Sequence, residues 1–295
     1  MRLVAGFVLV VLCAFAAAPS AADQGAYPQS EEDWDEALRA LTWQHDPSGY
    51  PIENANATIY LKPGLALMVG GDARRLNWLV NGVEFPDTVA ALTYATGSAK
   101  AIAYIEWHDE GYVRDNDWAD LDINDLLAQY RNATERSNSG RLSNGQNALH
   151  VVGWAREPHY DKSSHTVTWA MELEGEGHST VNAVAIRLGR DGYVTVTWAG
   201  PMGVFQSMGY PPALLNSALS SYKFDEGHSY ADHESGDESA GYGLSGLVAA
   251  ALDPHYGGGR FYGLLGLLFL GKKIVIPVVI FLGGAFARFR RRIFG

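Results

Sequence analysis

Cysteine is nearly absent from this sequence. The chain of 295 residues has one cysteine, Cys13, which lies in an apolar run near the N-terminus. A disulfide needs two cysteines, and a thiolate metal site or a thiol nucleophile needs at least one in the folded domain. The sequence after residue 22 therefore excludes all three, and its stability must come from a packed core.

Basic residues are scarce in most of the chain. Of 22 Lys and Arg residues, one precedes residue 23 and six follow Arg260, so 15 remain in residues 23–260 beside all 33 acidic residues. An acidic surface of this size repels the phosphates of nucleic acids. We expect no nucleic acid partner, and either a simply solvated surface or a cationic partner.

Sequence motifs of known enzymes are missing as well. Ser245 stands in Gly-Leu-Ser-Gly-Leu, which departs from the G-x-S-x-G nucleophile motif. Neither H-E-x-x-H nor a phosphate-binding loop occurs, since the three glycines at 257–259 lack the Lys and Ser/Thr that such a loop needs. These absences predict no cofactor and favour a non-enzymatic role.

The N-terminus has the pattern of an export signal. Arg2 precedes an uncharged apolar run over residues 3–18, and Ser20-Ala21-Ala22 supplies the small residues that a signal peptidase accepts. The sequence predicts a signal peptide at residues 1–22 and an extracytoplasmic chain after it.

The C-terminus has the pattern of a membrane anchor. Residues 261–287 are apolar except for Lys272 and Lys273, and four arginines follow in the tail 288–295. This length suits a bilayer-spanning helix, and the basic tail is typical of the cytoplasmic side. We expect a single-pass membrane protein with its N-terminus outside, in the periplasm, and its C-terminus cytoplasmic. The lipid bilayer is then a partner of residues 261–287.

The two lysines leave two geometries of the anchor open, because each is costly at the centre of a bilayer. In one, a single tilted helix spans residues 264–287. In the other, residues 261–271 lie along the interface and residues 274–289 span a thin bilayer.

Between the two ends the sequence predicts an α+β fold. An acidic segment at 23–56, with a helical piece at 31–41, precedes an extracytoplasmic domain at 57–226. Strand patterns occur at 57–61, 65–69, 100–107, 149–155, 166–174, 180–188, 193–199 and 222–224. The short turns within 149–199 predict an antiparallel meander, and Lys62-Pro63-Gly64 predicts a hairpin between the first two strands.

Helical spacing of apolar residues predicts one main amphipathic helix at 123–138 that backs the sheet, and a shorter helix at 212–220. Residues 227–260 begin with a stretch rich in Gly, Ser, Asp, Glu and His. That composition is typical of a flexible linker, here between the domain and the membrane.

A cluster of titratable residues is the candidate site for chemistry. His150, His159, Asp161 and His165 fall within sixteen positions. One hypothesis is an envelope hydrolase or metalloenzyme that uses this region, with His150, His159 and His165 as weak metal candidates, although the spacing matches no established zinc motif. The simpler interpretation is that His159, Tyr160 and Asp161 stabilise a turn beside Pro158 by hydrogen bonds.

Tryptophans on neighbouring strands provide the second candidate site. Trp107, Trp154, Trp169 and Trp198 each lie in a predicted strand, where they either pack in the core or line a groove for a glycan or peptide. For a binding module the candidate residues are Trp154, His159, Tyr160, Asp161 and Trp169.

Several short motifs together resemble one bacterial family. They are Val152-Gly153-Trp154-Ala155, Pro158-His159-Tyr160-Asp161, Leu188-Gly189-Arg190 with Gly192, and Phe224-Asp225-Glu226-Gly227. In this order, and from about residue 60 to the C-terminus, the chain resembles the family catalogued as domain of unknown function 2167, described as uncharacterised membrane-anchored proteins. The resemblance implies a membrane-anchored envelope protein and no particular reaction. We therefore expect a cell-envelope binding or scaffold module whose partner is an envelope protein or a glycan.

Overall fold

The structure is a computed structural model that describes residues 27–81, 85–95, 101–143, 147–175, 177–208 and 212–252. Its helices are α1 (Glu31–Arg39), α2 (Gly70–Asn81), α3 (Ile123–Ser143), α4 (Met202–Met208), α5 (Ala213–Ser221) and α6 (Leu244–Leu252). Its first six strands are β1 (Gly49–Ile52), β2 (Ala57–Tyr60), β3 (Leu65–Val69), β4 (Thr88–Tyr94), β5 (Ala103–His108) and β6 (Tyr112–Arg114). The others are β7 (His150–Asp161), β8 (Thr166–Gly175), β9 (His178–Leu188), β10 (Tyr193–Pro201), β11 (Tyr222–Phe224) and β12 (Ser239–Gly243).

A seven-stranded sheet organises the fold. Its strand order is β3-β4-β5-β10-β9-β8-β7, and every neighbouring pair is antiparallel. The part from β7 to β10 follows chain order, as tight turns between successive strands require. The predicted α+β class and the predicted meander are confirmed.

Both faces of the large sheet are covered. On one face, a first core packs the large sheet against α5 and a small sheet of order β1-β2-β11. On the other face, α3 and α6 cover the strands β7 to β9 over a second core, and α2 covers β3 and β4. The expectation that one main helix backs the sheet is therefore wrong, because several helices cover the two faces of the large sheet. The predicted helix at 123–138 is present as α3, and it ends five residues later.

The hairpin predicted at Lys62-Pro63-Gly64 is wrong. β2 pairs with β1 and β11, whereas β3 pairs with β4 in the large sheet. Gly64 has a φ of 84°, so the chain does turn there. The turn carries the chain from one sheet to the other across the first core, which turn residues alone do not distinguish from a hairpin.

Residues 227–252, here called the C-terminal strap, belong to the folded domain, so the expected flexible linker is wrong over this part. β12 pairs in parallel with β6, and α6 buries Leu244, Leu247, Val248, Ala251 and Leu252 in the second core. The polar residues of the strap form specific bonds. Arg190 binds Asp237 through two nitrogens, each 2.8 Å from a carboxylate oxygen, and Asp117 accepts a 2.5 Å hydrogen bond from the Ser245 hydroxyl at the start of α6.

The composition of the strap predicts a flexible linker wrongly, because composition does not show which partners the polar residues have. The partners Asp117 and Arg190 lie far from the strap in sequence, and only the fold brings them to it.

None of the helices in the described residues is long and apolar enough to cross a bilayer. The predicted membrane segment 261–287, the signal peptide 1–22 and the basic tail 288–295 lie outside those residues, as does the rest of the expected linker, residues 253–260.

Because α6 is part of the core, shortening one of its apolar side chains should destabilise the domain. Leu247 is fully buried, so we expect Leu247→Ala to lower the free energy of unfolding by about 2–5 kcal/mol. Leu142 on α3 is 60% exposed, and Leu142→Ala should change the free energy by less than about 0.5 kcal/mol. Urea unfolding followed by tryptophan fluorescence measures both. Equal effects of the two substitutions would mean that α6 is not docked in solution.

Candidate functional site

The histidines predicted as metal candidates are not brought together. His150 begins β7, whereas His159 lies near its far end, about 30 Å away at the rise of a strand. His150 instead lies 2.7 Å from Glu135 on α3. Among the described residues no group of three or more His, Cys, Asp or Glu side chains could hold a metal ion.

Asp161 stabilises the turn between β7 and β8. Its carboxylate accepts hydrogen bonds from the Ser163 backbone and hydroxyl and from the Ser164 hydroxyl at 2.6–2.9 Å. These bonds, the one from the Ser163 hydroxyl first, lower the pKa of Asp161 to about 2. The turn thus falls after Asp161. β7 continues through Pro158, which sits at an irregularity of this edge strand where a proline is tolerated.

The tryptophans do not form a shared binding face. Trp169 and Trp198 are 0% and 1% exposed, and Trp107 is 5% exposed, so all three are core residues. Trp169 therefore contacts no solvent at all, whereas Trp154 is half-buried against the second core. Alternation along β8 places Trp169 inward together with Val167 and Met171.

Tyr160, by contrast, belongs to an assembled site. The aromatic–acid cluster, as we call it, lies where β6, the β7–β8 turn and the strap meet. Its members are Tyr112, Asp115, Trp118, Tyr160, His165, Tyr230 and His233. Most of these side chains are half-buried, Tyr230 is buried, and His233 is exposed. Sequence analysis identified two of them, Tyr160 and His165.

A hydrogen-bonded triad forms the centre of the aromatic–acid cluster. The Tyr160 hydroxyl donates to Asp115 Oδ2 at 2.6 Å, and His165 Nδ1 lies 3.1 Å from the same hydroxyl oxygen. Because the only proton of the hydroxyl points to Asp115, His165 must donate from Nδ1. His165 also has a φ of 47°, which is uncommon for a residue with a side chain.

Burial and hydrogen bonding act in opposite directions on the Asp115 carboxyl. Burial raises its pKa, but the hydrogen bond from Tyr160, then the nearby Tyr230 hydroxyl, and after these the surrounding positive charge together outweigh burial, so the net pKa is lowered. The pKa of Tyr160 is raised, first by burial and then by the same hydrogen bond. Asp115 is therefore a carboxylate at neutral pH, and Tyr160 keeps its proton.

Aromatic rings extend the aromatic–acid cluster to the surface. Tyr112 stacks between Tyr230 and His233, with ring centres 4.6 Å and 3.7 Å apart. Trp118 lies 5.6 Å from Tyr160 on the other side. Partly exposed aromatic rings beside a carboxylate are the chemistry with which proteins contact sugar rings, peptides and organic cations.

A second polar site lies deep in the large sheet, and sequence analysis missed it. Glu106 on β5 has a side chain that is 9% exposed, and its carboxyl oxygen is 3.8 Å from His108 Nε2. Asp87 lies 3.8 Å from the other ring nitrogen of His108. Burial, and then the charge of Asp87, raises the pKa of Glu106 to about 8. The signal in the sequence is a charged residue in the middle of an otherwise uncharged strand pattern, Ala103-Tyr-Ile-Glu-Trp.

The fold and these sites define a class of protein, an α+β domain built on an antiparallel sheet that is covered on both faces. The family can also be named. The chain belongs to the family described as "Protein of unknown function (DUF2167)", whose model matches residues 44–283.

The chain was also compared with curated proteins and with solved structures. No curated protein matches the sequence. Among solved structures, the solution structure of cyanobacterial PsbP (CyanoP) from Synechocystis sp. PCC 6803 matches over 62% of this chain and 93% of that chain, at 11% identity and a TM-score of 0.32.

The buried Glu106 should make the domain less stable as pH rises. Its pKa is about 8 in the folded chain and near the ordinary 4.5 when unfolded, so the folded state holds the extra proton between these values. Stability then falls as pH rises from about 4.5 to about 8. Glu106→Gln removes this loss. We expect the variant to equal the wild type near pH 4.5 and to exceed it by a few kcal/mol, on the order of 2–4, above pH 8.

Urea unfolding at several pH values measures this difference. Glu226→Gln removes the same charge from an exposed residue and should leave the pH profile as it is. A Glu106→Gln profile parallel to that of the wild type would mean that Glu106 is ionised at neutral pH in the folded chain.

Proposed function

We propose that this protein is a membrane-anchored, extracytoplasmic binding module of the cell envelope, which uses the aromatic–acid cluster to hold an envelope protein or glycan. The observation that carries the proposal is the assembled set of aromatic rings around the Asp115 carboxylate, of which Tyr112, Trp118 and Tyr160 are partly exposed. The alternative of a metalloenzyme at His150 and His159 has no geometric support, because the two residues lie at opposite ends of β7.

The position of α6 supports the proposal that the domain is held close to a membrane. The helix ends at Leu252, and only residues 253–260 separate it from the apolar run that begins at Phe261. Eight residues span at most about 29 Å, even when fully extended. A domain held in this way stays close to the bilayer, whereas a linker of the length expected from composition would let it move much farther.

The way in which the strap is held supports the proposal that the aromatic–acid cluster is a binding site. Its residues Tyr230 and His233 form one side of the aromatic–acid cluster, while Tyr112 and Asp115 form the other. Arg190 fixes the strap through Asp237, which is also 3.2 Å from His233. Side chains that are held before a ligand arrives lose less conformational entropy when it binds.

Topology is tested in the full chain with a reporter that is either inserted after Gly259 or fused after Gly295. A reporter that is active only outside the cytoplasm should be active when it follows Gly259, and silent when it follows Gly295, because the apolar run would cross the bilayer between them. A reporter that is active only in the cytoplasm should show the reverse. External activity at both positions would mean that Lys272 and Lys273 prevent spanning and that the anchor lies on the outer surface.

Binding is tested by photo-crosslinking in intact cells. A photoreactive amino acid in place of the exposed His233 should form discrete crosslinks to an envelope protein or glycan, because His233 is the outermost ring of the stack described above. The added substitution Asp115→Asn should weaken the crosslinks, since it removes the carboxylate charge at the centre of the cluster.

The control is the same photoreactive residue in place of His178, which is also exposed but begins β9. Equal crosslinking from both positions, or none from His233, would contradict a binding role for the cluster.

A further inference from the structure

The large sheet has two edges, and at each of them a strand of another chain could pair. A bare edge strand presents a row of N–H and C=O groups to any free strand that meets it. At β3 the backbone of Gln44 covers the edge, because its N–H donates to the Leu67 carbonyl at 2.7 Å and its carbonyl accepts from the Leu67 N–H at 3.0 Å. At β7, the other edge, no strand pairs with the outer side in the part of the chain that the structure describes.

The sequence at the start of β7 is of a kind that pairs readily. Residues 148–155, Ala-Leu-His-Val-Val-Gly-Trp-Ala, contain no Lys, Arg, Asp or Glu and no proline. Short segments of high β-propensity and low charge are typical of sequences that pair between copies of a chain. Val152 in this segment is 43% exposed. The segment therefore needs protection that its own side chains do not supply.

Asn138 on α3 takes the place of a neighbouring strand at Leu149, directly before β7. The side-chain oxygen of Asn138 accepts from the Leu149 N–H, and its side-chain nitrogen donates to the Leu149 carbonyl, both at 2.9 Å. A paired residue of an adjacent antiparallel strand would form the same two bonds. The Glu135 carboxylate accepts from the same nitrogen of Asn138 at 3.0 Å and so holds the amide in this orientation.

Arg131 covers the next outward position of the edge. It lies seven residues before Asn138, which is about two turns of α3. Its guanidinium donates to the Val151 carbonyl at 3.2 Å and also to the Val152 carbonyl. Because backbone groups alternate in direction along a strand, those of Leu149 and Val151 face the same side. The two side chains of α3 thus occupy consecutive outward positions.

The second half of β7 is closed by its own backbone. The register shifts between Trp154 and Arg156 and again between Arg156 and His159. Pro158 has no N–H to donate to a partner strand. Bulges and proline are devices that commonly protect edge strands. Only the first part of the edge therefore depends on side chains from another element.

We propose that Arg131 and Asn138 prevent β7 from pairing with a second copy of this chain. The excluded contact is an antiparallel pair of residues 149–153 from both copies. Two identical antiparallel segments are related by a two-fold axis, so each copy presents the same surface and the contact closes as a dimer. This inference goes beyond the function proposed above and does not depend on it.

The experiment opens the edge in the full chain in detergent and measures pairing by crosslinking. Val152→Cys, made together with Cys13→Ser, places one thiol on the exposed side of the edge. A short bis-maleimide then links two copies where two β7 edges meet, and denaturing gel electrophoresis measures the linked dimer. Arg131→Ala with Asn138→Ala should raise the linked fraction at least about tenfold, because the freed backbone groups gain hydrogen bonds between the copies.

Matched variants separate pairing at the edge from other effects. Arg136→Ala with Asn132→Ala changes the same residue types at exposed positions of α3 and should leave the linked fraction as it is. A thiol at Leu142, 60% exposed on the same helix, should link no more in the double variant than in the wild type.

Near-ultraviolet circular dichroism shows whether each variant is folded. If the double variant does not fold, Arg131→Ala alone decides, because Arg131 is exposed and its removal should still raise the linked fraction. The proposal is overturned if the folded variant with an open edge links no more than the wild type. It is also overturned if the control pair of substitutions links equally, or if the thiol at Leu142 links as well as the thiol at Val152.

Discussion

The pairing of β5 with β10 is the constraint on which the other layers depend. It joins the N-terminal strands β3 to β5 to the C-terminal meander through six register pairs, from Tyr193 with His108 to Trp198 with Ala103. The approach is close at one end, where a Cβ on Gly192 would lie 2.0 Å from the His108 carbonyl oxygen. Only glycine fits there without displacing the backbone. Both the first core and the polar face around Glu106 exist only because these two strands are adjacent.

The sequence predicted the features that depend on neighbours along the chain. The meander was recognisable because β8, β9 and β10 alternate or form continuous apolar runs, with turn residues between them. α3 was recognisable from its helical spacing. By contrast, the sequence patterns do not predict α2 or β4, and the turn residues around Gly64 predict a hairpin. Whether a turn closes a hairpin or transfers the chain to a second sheet depends on which distant strand offers a better apolar surface, and local sequence does not contain that information.

The lack of information on distant partners in the local sequence also explains which residues of the candidate site could be predicted. Tyr160 and His165 stood out because polar and aromatic residues cluster near Pro158. Their partner Asp115 lies 45 positions from Tyr160, and no local pattern in the sequence links it to the Tyr160 hydroxyl, which it contacts only in the folded chain. Tyr230 and His233 were hidden in a stretch whose composition is typical of linkers. A polar segment is a linker only if its side chains find no partners, and here Arg190 and Asp117 supply them.

Glu106 places a buried carboxyl at the pairing of β5 with β10. It lies in β5, the strand that joins the two halves of the sheet, so the free-energy cost of burying its carboxyl acts at the centre of the fold. The apolar face of the same two strands offsets that cost, because Ile105, Val194 and Val196 are fully buried on the other side.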